Sequence, residues 1–326
     1  MTDPVGVALV GAGPWGATLA RTLSRISETR LRWICDIDLE RRMRVAAAHP
    51  GTAVAGSLDE VLADPEVGAA IVAVDSPNHH SVGLRVLAAN RHLLVEKPLA
   101  LSVADATALH DAARARRRVL TVGHLLLHHP AVTRARDLVA AGALGDLLGF
   151  ESVRAVNPAG RKPQSAWWTL APHDVSLAIH FFDAVPVMVS AVAGRRDPGD
   201  HDYVVYATLR FTDGRLAHVH VARGAAAAER RFSVIGSRRS LVFDELASHH
   251  PLRFTGVETA AAGAPTPEIV PIDIVEPLSV QCRHFISCVS REDPSGGNGG
   301  HALAVVRVLE AGARSMEAGG APVEVA

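Results

Sequence analysis

The stretch VGVALVGAGPWG, residues 5–16, decides the fold of the first half of the chain. Its apolar start predicts a buried strand, and Gly11, Gly13 and Gly16 fall where that strand turns into a helix. The first glycine permits a tight turn, the second lets a phosphate approach the backbone, and the third allows close helix–strand packing. The helix start adds unpaired N–H groups and a positive dipole end. A dinucleotide site is therefore predicted at Gly11, Ala12, Gly13, Pro14, Trp15 and Gly16.

A carboxylate closes the second predicted strand, Leu31–Asp36. Asp36 lies 20 residues after Gly16, where it can accept hydrogen bonds from both ribose hydroxyls and would repel a 2′-phosphate. This position favours NAD over NADP as the cofactor. Two alternatives stay open: Asp36 only caps the next helix, or Arg41 and Arg42 hold the phosphate of NADP.

The first half of the chain alternates short apolar strands with helical patterns. Apolar runs separated by helices indicate a parallel sheet with right-handed crossovers. The predicted helices are Trp15–Ser27, Leu39–Ala48, Val82–Ala89 and one capped by Ser102, and the other strands are Val5–Val10, Ala69–Val74, His92–Val95 and Val119–Val122. We predict an α/β fold whose residues 1–124 form a doubly wound Rossmann domain.

The pattern changes after His124, and residues 125–326 are predicted to form a second domain. Longer strands with alternating apolar residues indicate an antiparallel meander. These strands are Leu147–Val156, Val187–Ala193, Tyr203–Phe211, Leu216–Ala222, Phe232–Ile235 and Ser240–Phe243, and the helices are Ala131–Ala141, about His173 to Phe182, Val280–Ser290 and Ala302–Ala318. Gly256–Pro267, rich in Ala, Gly, Pro and Thr, is predicted to be a mobile loop.

Composition argues against several classes of partner. The formal net charge of −1 gives no electrostatic reason to expect nucleic acid or an anionic membrane surface. No apolar run approaches the roughly 20 residues needed to span a bilayer. The three cysteines have no metal-ligand spacing and the 17 histidines are scattered, so no metal site is predicted. The sparse, odd number of cysteines favours a reducing cytoplasm.

Two further turns lie at the predicted carboxyl edge of the sheet, where open α/β sheets bind ligands. The turn Val74–Pro77 is predicted to line the nicotinamide ribose, or Pro77 only ends the strand. In the turn Glu96–Pro98, Lys97 is one of two lysines in the chain. A lysine there can exchange a proton with a substrate hydroxyl, and burial beside a positive nicotinamide favours its neutral form. The cofactor contacts predicted outside the glycine turn are Asp36, Val74, Ser76, Pro77, Asn78, Glu96 and Lys97.

These motifs together resemble the Gfo/Idh/MocA oxidoreductases, which include glucose–fructose oxidoreductase and inositol dehydrogenase. The resemblance covers about the first 190 residues and rests on Val10–Gly16, Ser76–Asn78, Val95–Leu99, Val122–His124, Gly142–Gly145 and the region of His173. It implies a Rossmann domain followed by an α/β domain for substrate binding, with a large, mostly antiparallel open sheet that commonly mediates homodimers or homotetramers. It also implies that Lys97 lies at the catalytic centre.

Within the family, residues Trp168–Asp174 look most like the branch acting on nucleotide-linked sugars, which includes UDP-sugar 3-dehydrogenases and 3-ketoreductases. By this resemblance His173 is the second catalytic residue, and an imidazole is a suitable proton carrier. The alternative is that His173 only caps a helix. The substrate contacts implied are His124, Arg154, Asn157, Lys162, Thr169 and Asp174. Of these, Arg154, Asn157 and Lys162, with Arg161, would face a diphosphate or else lie solvated in a loop.

Two positions depart from the family pattern. Thr169 replaces an Asp four residues before His173, which removes the carboxylate that would orient the imidazole. Asp174 or a substrate phosphate could substitute for it. Ser81 stands where many members carry a histidine.

Three functions follow from these residues. The leading one is an NAD(P)-dependent dehydrogenase or ketoreductase acting on a nucleotide-linked sugar. A second keeps the cofactor and acts on a free sugar, a cyclitol or an imine. A third, motivated by Thr169, is a regulatory protein that binds the dinucleotide without catalysis.

Overall fold

A computed structural model describes residues 3–157, 164–197, 199, 201–249, 251–256, 267–273 and 275–326. Residues 1–125 and 276–306 form one compact unit, and residues 126–275 and 307–326 form the other. The chain thus returns to the first unit near its end. The predicted division into 1–124 and 125–326 assigns residues 276–306 to the second domain instead. Most of the predicted loop Gly256–Pro267, together with Arg161 and Lys162, lies outside the described residues.

The first unit contains a parallel sheet that is buried on both faces. Its strands are β1 (Val5–Val10), β2 (Thr29–Cys35), β3 (Ala53–Ala55), β4 (Ala69–Val72), β5 (His92–Val95) and β6 (Leu120–Val122). They lie in the order β3-β2-β1-β4-β5-β6, so the chain winds outward in both directions from β1. In β1, Ala8 and Val10 pack into one apolar cluster and Val7 and Leu9 into another. The Rossmann prediction is confirmed.

Helices cover both faces of this sheet and continue through the second unit. They are α1 (Pro14–Leu23), α2 (Leu39–Ala47), α3 (Leu58–Ala63), α4 (His79–Ala88), α5 (Val103–Ala115), α6 (Pro130–Ala140), α7 (Ala166–Phe182), α8 (Pro277–Ser290) and α9 (Gly299–Glu317). Ser102 caps α5 as predicted, because its side chain accepts a hydrogen bond from the Asp105 N–H. The sequence prediction missed β3 and α3, which are short, and began α4 three residues late.

The second unit contains a nine-stranded sheet. Its strands are β7 (Leu147–Val156), β8 (Met188–Ala193), β9 (Val204–Arg210), β10 (Leu216–Arg223), β11 (Glu229–Gly236), β12 (Arg239–Asp244), β13 (Leu252–Gly256), β14 (Glu268–Ile269) and β15 (Val323–Glu324). They lie in the order β14-β13-β12-β11-β7-β10-β9-β8-β15. The sheet is mostly antiparallel, as the resemblance implies. It is not a pure meander, because β7 and β10 pair in parallel after α7 carries the chain across the sheet.

Helix α7 begins seven residues earlier than predicted, and Pro172 lies inside it. Ser165 caps it by accepting a hydrogen bond from the Trp168 N–H at 3.1 Å. Trp167 holds the early turn in place: its indole is fully buried and donates to the Leu309 carbonyl at 2.8 Å. A buried proline removes one backbone hydrogen bond, which this packing offsets. His173 therefore lies within the helix, and the interpretation that it caps the helix is wrong.

Two other findings concern the described residues only. No helix among them has the length and apolar character required to cross a membrane. Within the same part of the chain, no group of three or more His, Cys, Asp or Glu side chains is placed to hold a metal ion.

Candidate functional site

The glycine turn has the geometry that its sequence predicts. Gly11 has φ +100°, and a Cβ there would lie 2.6 Å from the carbonyl carbon of Ala73. A Cβ at Gly16 would overlap the carbonyl oxygen of Gly11. At Gly13, the N-cap of α1, a Cβ would meet nothing within 4 Å. The turn is thus closed toward the protein and open at the helix N-terminus, where a pyrophosphate would bind.

The Asp36 carboxylate is fixed against this turn. Its Oδ2 accepts a hydrogen bond from the Ala12 N–H at 2.6 Å, and its Oδ1 accepts one from the Asp38 N–H at 2.9 Å. Asp38, not Asp36, caps α2 by accepting from the Arg41 N–H at 3.1 Å. A carboxylate has about four lone-pair sites, so Asp36 retains acceptor capacity for ribose hydroxyls.

The two arginines that could bind a 2′-phosphate have protein partners. Arg41 pairs with Asp38, Nε to Oδ2 at 3.3 Å. Arg42 donates from Nη1 to the Asp36 carbonyl at 2.9 Å and to the Ile37 carbonyl at 3.3 Å. These contacts orient Arg42 toward the backbone of the strand end, which favours NAD over NADP.

Glu96 connects the glycine turn to the lysine loop. Its Oε1 accepts a hydrogen bond from the Trp15 indole N–H at 2.6 Å, and its Oε2 accepts one from the Lys97 N–H at 3.3 Å. A Cβ on Gly123 would lie 2.8 Å from Oε1, so only glycine leaves room for the carboxyl group. Burial raises the pKa of Glu96, and the bond from Trp15 opposes that shift. Three motifs of the sequence thus meet at one side chain.

His79 connects the turn after β4 to the same loop. Its Nδ1 lies 2.7 Å from the carbonyl oxygen of Pro98 and its Nε2 lies 3.0 Å from that of Val74. The side chain is buried, and this burial lowers the pKa of His79. The sequence prediction missed His79 and instead considered Ser81, which is exposed and donates to the Asn78 carbonyl at 3.3 Å. A histidine at the first position of a helix that follows the Ser76–Asn78 turn was the available signal.

His124 follows β6 at the same edge of the sheet. Its ring is buried and makes an edge contact with the His301 ring, with centroids 5.6 Å apart. In the first unit the structure therefore places the glycine turn, Asp36, the 74–78 turn, Lys97 and His124 after the ends of neighbouring strands.

In the second unit, Thr169 and His173 lie four residues apart on α7 and so share one face of the helix. The Thr169 hydroxyl donates to the Ser165 carbonyl at 2.6 Å and accepts from Arg223 Nη1 at 3.3 Å. Arg223 also donates to Gln164 Oε1 at 3.3 Å. A guanidinium therefore lies beside Thr169, the position at which the family resemblance implies a carboxylate. No sequence pattern pointed to Arg223, because the residue ends an ordinary alternating strand.

Arg154 and Asp174, both expected to contact substrate, contact each other. Arg154 Nε lies 2.9 Å from Asp174 Oδ2, and Arg154 Nη1 lies 3.1 Å from Glu245 Oε2. Both residues are buried, and burial raises the pKa of Asp174 while Arg154 opposes the shift. Both Asp174 oxygens face Arg154, so this carboxylate is part of a buried ion pair within the second unit. Asn157 is exposed at the end of β7.

Comparison with known proteins places both units in one oxidoreductase family. Residues 5–124 match the family described as "Oxidoreductase family, NAD-binding Rossmann fold", and residues 132–242 match the "GFO/IDH/MocA C-terminal domain". An inositol 2-dehydrogenase of Acidothermus cellulolyticus is 31% identical over 219 residues, 64% of each chain. A dTDP-3,4-didehydro-2,6-dideoxy-alpha-D-glucose 3-reductase of Streptomyces violaceoruber is 37% identical over 117 residues, 36% of this chain and 34% of that protein.

A solved structure extends this similarity to the whole chain. GenD2 from gentamicin A biosynthesis, crystallised in complex with NAD, is 27% identical and superposes with a TM-score of 0.85. The superposition covers 100% of this chain and 97% of that chain.

Proposed function

The chain belongs to the Gfo/Idh/MocA oxidoreductase family and is an NAD(P)-dependent oxidoreductase acting on CH–OH groups, and from this premise we propose that its substrate is a nucleotide-linked sugar. Lys97 and His173 are the proposed catalytic residues. The observation that supports a redox role for Lys97 is the pair of hydrogen bonds to Glu96. They connect the Lys97 backbone to Trp15 of the glycine turn, where the dinucleotide is expected.

The residues of the first unit fit an NAD dinucleotide. The open space at Gly13 and the start of α1 suit the pyrophosphate, and the Asp36 carboxylate suits the adenosine ribose. The turn Ser76–Asn78 is the proposed contact for the nicotinamide ribose. When bound, the nicotinamide supplies or accepts the hydride.

Lys97 is the proposed proton carrier. In the oxidative direction its neutral amine takes the proton of the substrate hydroxyl, and in the reductive direction its ammonium returns that proton to the ketone oxygen. His173 is the proposed second catalytic residue, whose imidazole assists this proton transfer.

Nucleotide recognition is proposed from the similarity to the dTDP-sugar reductase and from the basic residues of the second unit. Arg154 is paired with Asp174 and Glu245, so the diphosphate is assigned to Arg161, Lys162 and Asn157, together with Arg223, which ends β10 and contacts Thr169 of α7. Titration with UDP and with TDP tests this assignment directly. Saturable binding of either supports it, and absence of binding up to millimolar concentration overturns it.

The activity itself is tested with a panel of UDP- and TDP-sugars and NAD or NADH. A change in the near-ultraviolet absorbance of reduced nicotinamide with one of them supports the proposal. Because tightly bound cofactor could be recycled within one turnover, nicotinamide released by denaturation is measured as well. No turnover with any sugar nucleotide, but turnover with inositol, would favour the cyclitol alternative, which the relative from Acidothermus cellulolyticus supports. Dinucleotide binding without any turnover would favour the regulatory alternative.

Replacing Lys97 with alanine tests its role. Loss of a general acid–base residue lowers kcat by about 100- to 10,000-fold. The dissociation constant for NADH, measured by fluorescence, is expected to stay within about threefold of wild type, because the phosphate and ribose contacts are elsewhere. A Lys97→Ala enzyme with wild-type kcat would remove Lys97 from the mechanism.

The open face of the nine-stranded sheet is proposed to bind a second copy of the chain. Val192, Tyr206 and Leu216 expose 54%, 51% and 45% of their surface on it. Tyr206 stacks on His220 of the neighbouring strand, with ring centroids 4.3 Å apart, which adds a flat aromatic pair to this face. A homodimer or a homotetramer would cover it. The three cysteines are free and buried, which supports the cytoplasm as the proposed compartment.

A further inference from the structure

The imidazole of His79 lies between two loops of the candidate site. Pro98, on one side, is the residue that follows Lys97, and its carbonyl oxygen lies 2.7 Å from Nδ1. Val74, on the other side, begins the turn that leads to Ser76–Asn78, and its carbonyl oxygen lies 3.0 Å from Nε2. The residue is 1% exposed, so no solvent competes for either nitrogen.

The chemistry of these contacts determines which one is the stronger. A carbonyl oxygen only accepts hydrogen bonds, and a neutral imidazole donates from one nitrogen only. Burial favours the neutral ring. The proton therefore belongs to Nδ1, which makes the shorter contact, and the bond to the Pro98 carbonyl is the one that forms.

We propose that His79 is a positioning residue, which fixes the Lys97 loop against the turn of the nicotinamide ribose through its Nδ1–H bond to the Pro98 carbonyl. The proposal rests on the proposed role of Lys97. Two hydrogen bonds then fix the backbone around Lys97. The Lys97 N–H donates to the Glu96 carboxylate, and the carbonyl of the next residue, Pro98, accepts from His79. With the backbone fixed on both sides, the Lys97 side chain starts from one position relative to the 74–78 turn.

Two substitutions test the contacts of Nδ1 and Nε2 separately. In His79→Asn the side-chain amide N–H occupies the place of Nδ1 and can keep the bond to Pro98. In His79→Gln the amide occupies the place of Nε2 and can reach only the Val74 carbonyl. His79→Leu removes both. His80→Asn is the matched control, since His80 is the next residue of α4, is 32% exposed and contacts Asp105.

Activity is measured with the sugar nucleotide that the panel identifies. The Asn variant is expected to keep kcat within about threefold of wild type, whereas the Gln and Leu variants lose up to about 100-fold, the effect of a small misplacement of a reacting group. KM and the NADH dissociation constant are expected to stay within about threefold in all of them, because the substrate and phosphate contacts are unchanged. His80→Asn is expected to behave as wild type.

A second measurement needs no substrate. It therefore tests the positioning role of His79 even if Lys97 does not carry the proton. The chain has only two lysines, so a Lys162→Arg background labelled with ¹³Cε-lysine gives one resonance, that of Lys97. The resonance is recorded with and without NADH. We expect the wild-type position in the Asn variant and a shifted or broadened signal in the Gln and Leu variants.

The proposal is tested by comparing the His79→Asn variant with the His79→Gln variant. Thermal unfolding midpoints show whether both variants fold. If the Asn and Gln variants give the same Lys97 resonance, or if Gln preserves it and Asn does not, the proposal is overturned. If the Leu variant does not fold, the Asn–Gln pair still decides. An inactive Lys97→Ala enzyme with an unperturbed Gln variant would reject the role of His79 alone.

Discussion

At the scale of single residues, Asp36 and Asp38 lie two positions apart and have different partners. Asp36 accepts from the glycine turn, where a bound ribose would meet it, whereas Asp38 caps α2. Replacing Asp36 with alanine is expected to weaken NADH binding about tenfold or more, because a charge-assisted hydrogen bond contributes about 1.5–3 kcal/mol.

Asp38→Ala is the matched control. It is expected to lower the free energy of unfolding by about 1 kcal/mol, the usual effect of a lost N-cap, and to leave NADH binding unchanged. Titration calorimetry and urea unfolding measure both quantities. Equal loss of NADH affinity in the two variants would contradict the ribose assignment of Asp36.

At the scale of secondary-structure elements, α7 and α9 fit together in the second unit through one glycine. A Cβ at Gly312 would overlap the Trp167 indole, which anchors the early turns of α7. Gly312→Ala is therefore expected to destabilise the protein by about 1–3 kcal/mol, the cost of overpacking, although alanine is the better helix former.

Gly300→Ala, in the first turn of the same helix, is the control. The nearest atom to its Cβ would be a His110 ring carbon at 3.8 Å, so no loss of stability is expected. Thermal or urea unfolding of the two variants shows the difference. Unchanged stability in Gly312→Ala would mean that the two helices can separate without cost.

The start of β5 carries a histidine whose protonation opposes folding. His92 accepts a hydrogen bond from the Val119 N–H at 3.0 Å, and burial, together with Arg118, lowers its pKa to about 4. Between pH 6.5 and 4 the unfolded chain binds the proton and the folded protein does not, so stability falls as the pH falls through this window. The shift of about 2.5 pH units corresponds to up to about 3 kcal/mol.

His92→Asn isolates this effect, because its amide oxygen can replace Nδ1 as the acceptor and does not titrate. We expect the stability of wild type relative to the variant to decrease from pH 7 to pH 4, as measured by urea unfolding at each pH. Parallel curves for the two proteins would contradict a buried neutral His92.

At the scale of the whole molecule, the exposed apolar residues on the open face of the nine-stranded sheet predict that the chain forms a homodimer or homotetramer. Tyr206 lies on this face on β9, the third strand from one edge, opposite Val192 on β8 and His220 on β10. A charge at this position would be buried without a partner in a dimer, so Tyr206→Glu is expected to reduce the measured molar mass toward that of one 34.4 kDa chain. Light scattering after size-exclusion chromatography measures it.

Met43→Glu is the control for this experiment, since Met43 is 50% exposed on α2 of the first unit. It is expected to keep the wild-type mass. A wild-type protein that elutes as a single chain would overturn the assembly proposal.

The bounds of the helices and strands show which elements can be predicted from local sequence patterns. The long strands and the helices of the first unit were predicted within a few residues, because apolar runs and caps such as Ser102 are local signals. Strand β3 and helix α3 are too short to show a period. The predicted start of α7 is seven residues late because a proline is common at the start of a helix, whereas here Ser165 caps the helix and Pro172 lies inside it.

Local sequence patterns are enough to predict the Rossmann fold, the glycine turn and the approximate place of Asp36 and Lys97. They are enough because a positive φ at Gly11, a parallel-strand pattern and a carboxylate at a strand end depend on neighbouring residues only.

Which side chains contact each other depends on the tertiary fold. It paired Arg154 with Asp174 over 20 positions, brought Arg223 to Thr169 over 54, and set His79 against Pro98. These contacts join residues from separate elements. Their partners are fixed by how the elements pack, and no local period or motif encodes that packing.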